Sequence, residues 1–202
     1  MIDFNASWQR AWRNLRAAPE SGLQQRLLDA WAEPQRHYHG LQHLAECLAC
    51  FDEASALAER PGEVEIALWF HDAIYDPKAK DNERRSADWA TASLRAAKFD
   101  EDAVTRVDAL IMATCHSAQP ESGDAQLLVD IDLSILGATP ERFSEYDRQI
   151  REEYRWVPGF VYRFKRRNVM RGFLERPWIY STARFRDRFE AQARRNLEAA
   201  TR

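Results

Sequence analysis

The chain predicts an all-α protein. Apolar residues recur at spacings of three and four almost everywhere, strict alternation is nearly absent, and most prolines and glycines fall between the periodic stretches. With 202 residues and no defensible linker, repeat or low-complexity stretch, the expectation is one helical domain over 1–202, of about nine helices.

The elements follow in order. Asn5 is placed to cap a first helix with Trp8, Trp12 and Leu15 on one stripe, ended by ProGlu at 19–20. Ser21 to Trp31 repeats the pattern through Leu23, Leu27 and Trp31 until Pro34 breaks it. A turn around Gly40 carries the histidine cluster. Then come a long helix from Leu41 to Arg60, stopped by ProGly, and another from Glu63 to His71 with Ile66, Ala67 and Phe70 as its face. Asp72 to Lys80 is charged, contains AspPro and reads as a loop. Helices follow from Asp81 or Asn82 to Ala97 and from Asp100 to Thr114. After a ProGluSerGlyAsp loop, Leu127 to Leu136 is a short helix, because no neighbouring stretch could pair with it as a strand. Helices over 140–155, 158–175 and 183–200 complete the chain.

Composition narrows the function. A formal charge of −3 without a lysine-rich block argues against a dedicated nucleic-acid binder, although residues 163–171 carry five cations among aromatics. No apolar run approaches the roughly 20 residues that cross a bilayer, and the N-terminus lacks a secretory pattern, so no membrane partner is expected. Three sparse cysteines point to reduced thiols and a cytoplasmic location. Cys47 and Cys50 form a C-x-x-C, but they share the periodic face of Leu44, Leu48 and Phe51, so small core residues are favoured over a redox or zinc pair. Trp156 and Trp178 fit either a dimer contact or the core, leaving monomer or homodimer open.

The chemistry-bearing residues are concentrated. Four of the five histidines (His37, His39, His43 and His71) fall between positions 37 and 71, and His71-Asp72 ends an apolar helical run. Imidazole nitrogens and carboxylate oxygens from separated stretches are what a divalent-cation site needs. Adjacent residues on a continuous helix point about 100° apart, so His71 and Asp72 can reach one ion only if the helix ends there. His39 and His43 lie four apart and either can supply the first imidazole. Asp130 and Asp132 diverge by about 200° on a helix, and Asp132 is preferred. Nitrogen and oxygen donors suit Mn²⁺, Fe²⁺, Ni²⁺, Co²⁺ or Zn²⁺ better than Mg²⁺. His37, beside Tyr38, reads as a packed side chain, and His116 as a helix cap or a contact to a second metal or phosphate.

Several longer segments, in order, resemble the HD superfamily of metal-dependent phosphohydrolases, in particular a bacterial branch with an ArgHisTyrHis-x-Leu-x-His segment. They are ArgHisTyrHisGlyLeuGlnHis at 36–43, TrpPheHisAspAlaIleTyrAsp at 69–76, AspAsnGluArgArgSerAla at 81–87 and AspIleAspLeuSerIleLeuGly at 130–137, with GluTyr at 153–154 and PheLeuGluArgProTrpIleTyr at 173–180. The resemblance implies an all-helical domain whose metal is held by His43 (or His39), His71, Asp72 and Asp132, with Glu83 positioning water. It implies hydrolysis of a nucleotide or another small phosphorylated metabolite, with Asp72 or Glu83 accepting a proton. Arg36, Arg84, Arg85 and Arg167 are the candidate phosphate clamps, since a guanidinium fork matches two oxygens, and Lys78 and Lys80 could attract the anion. The competing expectations are a hydratase or di-iron oxygenase on the same scaffold, and a nucleotide sensor without turnover.

Overall fold

A computed structural model describes residues 2–116 and 120–202. Among them every regular element is helical and none is a strand. The helices are α1 (Phe4–Leu15), α2 (Leu23–Trp31), α3 (Leu41–Ala54), α4 (Pro61–Phe70), α5 (Asn82–Ala96), α6 (Glu101–Ala113), α7 (Gly123–Asp132), α8 (Pro140–Glu153), α9 (Gly159–Leu174), α10 (Ala183–Phe185) and α11 (Ala191–Thr201). Short 3₁₀ turns cover Ser55–Leu57 and Leu133–Gly137, and a π-helical turn, Arg186–Glu190, joins α10 to α11.

Several boundaries differ from the sequence expectation for physical reasons. Asp3, not Asn5, caps α1: its carboxylate accepts the N–H groups of Asn5 (2.9 Å) and Ala6 (3.1 Å). The ProGly expected to stop α3 opens α4, because proline suits the first helical position, where its missing N–H costs nothing. The ProGluSerGlyAsp segment likewise runs into α7 at Gly123.

Packing divides the chain into two compact units, Met1–Ile131 and Asp132–Arg202, where the sequence showed no linker. The boundary falls at the end of α7, which stops at Asp132 and passes directly into the 3₁₀ turn from Leu133. In the first unit α4 is the central helix, packed by α1, α3, α5 and α6. Every residue from Gly62 to Phe70 is buried, so the one-sided face expected for this helix gives way to burial all round. Gly62 marks the closest approach, since a Cβ there would lie 2.9 Å from Asn14 Cβ. Trp69 packs edge-on to Trp8, with ring centroids 5.0 Å apart, and donates to Ser7 Oγ at 3.2 Å.

Two buried carboxylates on α4 are held by arginines. Arg106 makes a fork to Glu63 at 2.7 and 2.8 Å. Glu65 accepts from Arg10 Nε at 3.1 Å and from Ser7 Oγ at 2.7 Å. Burial still pushes the Glu65 carboxyl above its ordinary range, outweighing these donors.

In the second unit α9 packs on α11. Glu190, in the π-helical turn, accepts the N–H groups of Ile179 (3.0 Å) and Tyr180 (3.2 Å), while Asn196 donates to Leu136 and Ala138 carbonyls at 2.8 and 2.9 Å. Gly137 passes so close to Phe189 that a Cβ would sit 2.6 Å from that residue's Cβ. Trp156 and Trp178 are surface residues, 52% and 53% exposed, which excludes a core role.

Candidate metal centre

The centre is assembled where α3 begins and α4 ends. His43 lies on the first turn of α3, and Cys47 follows one turn later on the same face. Helix α4 stops at Phe70. The His71 N–H still reaches the Ala67 carbonyl (2.8 Å), but the Ala73 N–H returns to the Phe70 carbonyl (2.9 Å) and turns the chain away. Asp72 is therefore released from the helical spacing that would point it away from His71.

His71 is fully buried, and its Nδ1 lies 2.9 Å from the Leu68 carbonyl. A carbonyl only accepts, so Nδ1 carries the proton and Nε2 keeps its lone pair. That Nε2 faces His43 Nε2 at 3.1 Å, and Asp72 Oδ2 lies 3.4 Å from the first and 3.8 Å from the second. Asp132, which closes α7, brings a carboxylate oxygen into the same group. One ligand atom each from His43, Cys47, His71 and Asp132 all lie within 4.8 Å of one another. The walls are aromatic: Trp31 sits 5.4 Å from the His71 ring, fixed by its Nε1 donating to the Trp69 carbonyl (3.0 Å), and Tyr38 sits 4.7 Å from the His43 ring.

These separations suit a cation. Metal–nitrogen and metal–sulfur bonds of the usual length place neighbouring tetrahedral donors roughly 3.3–3.6 Å apart. Cys47 Sγ is 3.7 Å from His43 Nδ1 and 3.8 Å from Nε2. Near-equal distances to both ring nitrogens put the sulfur off the in-plane lone-pair direction of Nε2. Asp72 is outside the four-residue group, but its Oδ2 stands beside both imidazoles.

The other sequence candidates divide. His39 is half-buried and stacks on Tyr75 at 4.1 Å, outside the four-residue group. His37 is exposed. His116 follows α6 in a left-handed conformation (φ 52°) and is not in the group either. Asp130 is buried on α7, while the half-buried Asp132 joins the group. Glu83 is half-buried in the first turn of α5, where its charge, after burial, helps raise the Cys115 thiol pKa.

Among the arginines, Arg36 is the informative one. Its guanidinium is buried and donates to Asp72 O (2.6 Å), Ala73 O (2.8 Å), His39 O (3.2 Å) and Glu33 Oε2 (3.0 Å), between the rings of Trp31 and Tyr75. It ties the histidine turn to the end of α4 and so fixes where Asp72 stands. Arg85 is exposed and borders, with Arg36, Ala73 and Tyr75, a cleft of about 320 Å³. Arg84 is engaged by Asp88 and Asp108. Arg167, in the second unit, is exposed and donates to the Arg202 carbonyl at 3.3 Å.

Two residues named from the sequence serve otherwise than expected: Cys47 is more than a core residue, and Arg36 is held by carbonyls and Glu33 and not set out as a phosphate clamp. Cys47 has the burial expected of a core residue, 1% exposed, yet its thiol faces the imidazoles. The signal was its four-residue spacing from His43, which is also core spacing. Arg36 was visible as a charge beside histidines, but its carbonyl partners lie far along the chain. No family model, curated protein or solved structure matches this chain.

Proposed function

We propose that this protein is a metal-dependent phosphohydrolase acting on a small phosphorylated metabolite, with His43, His71, Asp72 and Asp132 holding the cation. The observation that carries the reading is the pair of buried imidazole Nε2 atoms 3.1 Å apart, flanked by the Asp72 and Asp132 carboxylates. Two imidazole nitrogens this close need a shared proton or a cation between them, and the flanking carboxylates favour the cation. A divalent ion bound there supplies a Lewis acid for a phosphoryl oxygen and makes water acidic near neutral pH.

The chain's own groups supply the rest. Asp72 Oδ2, facing both imidazoles, accepts the proton of the attacking water. The Leu68 carbonyl holds His71 in the tautomer that leaves Nε2 unprotonated, and Arg36 holds the Asp72 main chain. Arg85 is exposed and borders the cleft beside Ala73, next in sequence to Asp72, which supports it as the phosphate contact. The resemblance to the HD superfamily supports the reaction class, and the donor set supports Zn²⁺, Fe²⁺, Co²⁺, Ni²⁺ or Mn²⁺ over Mg²⁺.

Cys47 favours a second reading, a closed structural zinc site of His43, Cys47, His71 and Asp132 with no position for substrate. Two measurements separate the readings. A panel of phosphate esters assayed with Mn²⁺, Co²⁺, Ni²⁺ and Mg²⁺ yields phosphate that is lost in His71→Ala if the chain is a hydrolase. A structural site instead gives no turnover and a sulfur-to-cobalt charge-transfer band in the Co²⁺-loaded protein. Phosphate release that survives His71→Ala refutes the hydrolytic site.

A further inference from the structure

Helix α9 reverses the usual distribution of side chains. Of its 16 residues only Met170 is buried. Phe160 and Phe164, one turn apart, are 72% and 68% exposed, and the exposed Trp156 precedes them. Exposed large aromatics in a cluster mark a surface that is covered in use.

The charge on the same helix is one-sided. Arg163, Lys165, Arg167 and Arg171 are exposed, Arg166 is half-buried, and α9 contains no acidic residue, although the whole chain carries a net charge of −3. The residues at 160, 164, 167 and 171 follow helical spacing, so the aromatic pair and two of the arginines share one stripe.

We propose that this face of α9 docks on an anionic lipid surface. Cations in this number on one helix are attracted to acidic headgroups, and phenylalanine and tryptophan partition into the interface beneath them. Self-association through the same stripe would bring like charges together. A single-stranded nucleic acid, the other anionic occupant, is held by aromatic platforms set in a groove that tracks the backbone. Here the rings project from one convex helix, the arrangement that enters a soft interface. The inference is independent of the metal reading. It goes beyond the expectation of no membrane partner, which rested on the absence of a spanning segment. Among the described residues no helix is long and apolar enough to cross a membrane, and docking does not require one.

The test uses the full chain and vesicles of phosphatidylcholine, alone or in an equimolar mixture with phosphatidylserine. Co-sedimentation with the mixed vesicles is expected to exceed that with neutral ones at least tenfold and to weaken as salt rises. Each cation removed lowers partitioning by roughly fivefold, so Arg163→Gln, Arg167→Gln and Arg171→Gln together lower it about a hundredfold. Phe160→Ser with Phe164→Ser abolishes the blue shift of tryptophan emission on binding. All these positions are on the surface, and circular dichroism confirms that the variants fold. Equal binding to both vesicles, or binding to neither, overturns the proposal. So does capture of a single-stranded oligonucleotide without vesicle binding, or a dimer that is lost with the two phenylalanines.

Discussion

Helices α4 and α9 make opposite use of their residues. Helix α4 is buried on every side and still contains Glu63 and Glu65, with His71 and Asp72 at its end. Helix α9 buries one side chain and leaves Phe160 and Phe164 in water. Each breaks the ordinary partition of polar and apolar groups, and the breaks differ in kind. On α4 each buried carboxylate has an arginine partner, so the polar groups are stabilised in place, and the helix end presents donors with fixed geometry. On α9 two large rings, Phe160 and Phe164, stay mostly in water although the helix packs on α11, which is the mark of a surface that meets something else. Local rules tend to fail where a protein does its work.

The largest effect of substitution is expected at the end of α4. His71→Ala should lower divalent-metal affinity by more than about 100-fold, beyond the 10–100-fold typical of losing a supporting contact, as read by chelator competition. The matched change on α9, Phe160→Ala, should leave that affinity unaltered. If the two variants behave alike, the two helices do not have separate roles.

Packing gives the next contrast. Phe70→Ala removes a fully buried ring that meets Trp89 edge-on at 5.9 Å, and should cost about 3–5 kcal/mol in urea unfolding. Phe164→Ala should fall within about 0.5 kcal/mol of the parent. A large loss at Phe164 would mean that the α9 face is already covered in the free protein.

Arg36→Gln tests whether the site is set by its supporting contacts. One guanidinium bridges the main chain of residues 39, 72 and 73, and glutamine cannot span those carbonyls. Metal affinity should fall about 10–100-fold. Arg36→Gln also removes the group from the edge of the cleft, so guanidinium ion added in solution should restore part of the affinity. A variant with unchanged affinity would show that Asp72 is positioned by other means.

These outcomes bear on how much the chain disclosed before folding. The helical class was legible because the spacing of Trp8, Trp12 and Leu15, or of Val104, Val107 and Ile111, is a local property read over a few turns. His71 and Asp72 were legible for a related reason: they end an apolar run and precede a charged loop, so a helix terminus was expected there. Cys47 was not, because one side of α3 serves both the core and the imidazoles, and a single spacing describes both. The partners of Arg36 were hidden because main-chain carbonyls carry no sequence signature. Asp3 and Asn5 are both good caps, and only geometry chose between them. The division after Ile131 was invisible because α7 passes there directly into a 3₁₀ turn, with no polar or Pro/Gly-rich stretch between.

A smaller effect concerns pH. The Glu65 carboxyl is raised in the fold by burial, so the native state holds that proton more tightly than the unfolded chain does. Stability from this group is complete below the ordinary glutamate range and declines as pH climbs through the raised value. Urea midpoints should therefore fall between about pH 4.5 and neutrality in the parent, and change less in Glu65→Gln. An identical pH profile in both would remove Glu65 from the account.

The most direct test is metal content. The parent protein and His71→Ala, each dialysed against Zn²⁺ or Co²⁺ and freed of excess, are analysed for metal per chain alongside their circular dichroism. The account predicts one cation per chain in the parent and none in His71→Ala, with the helical spectrum retained in both. Equal metal in the two proteins, or none in the parent with any of these ions, would contradict it.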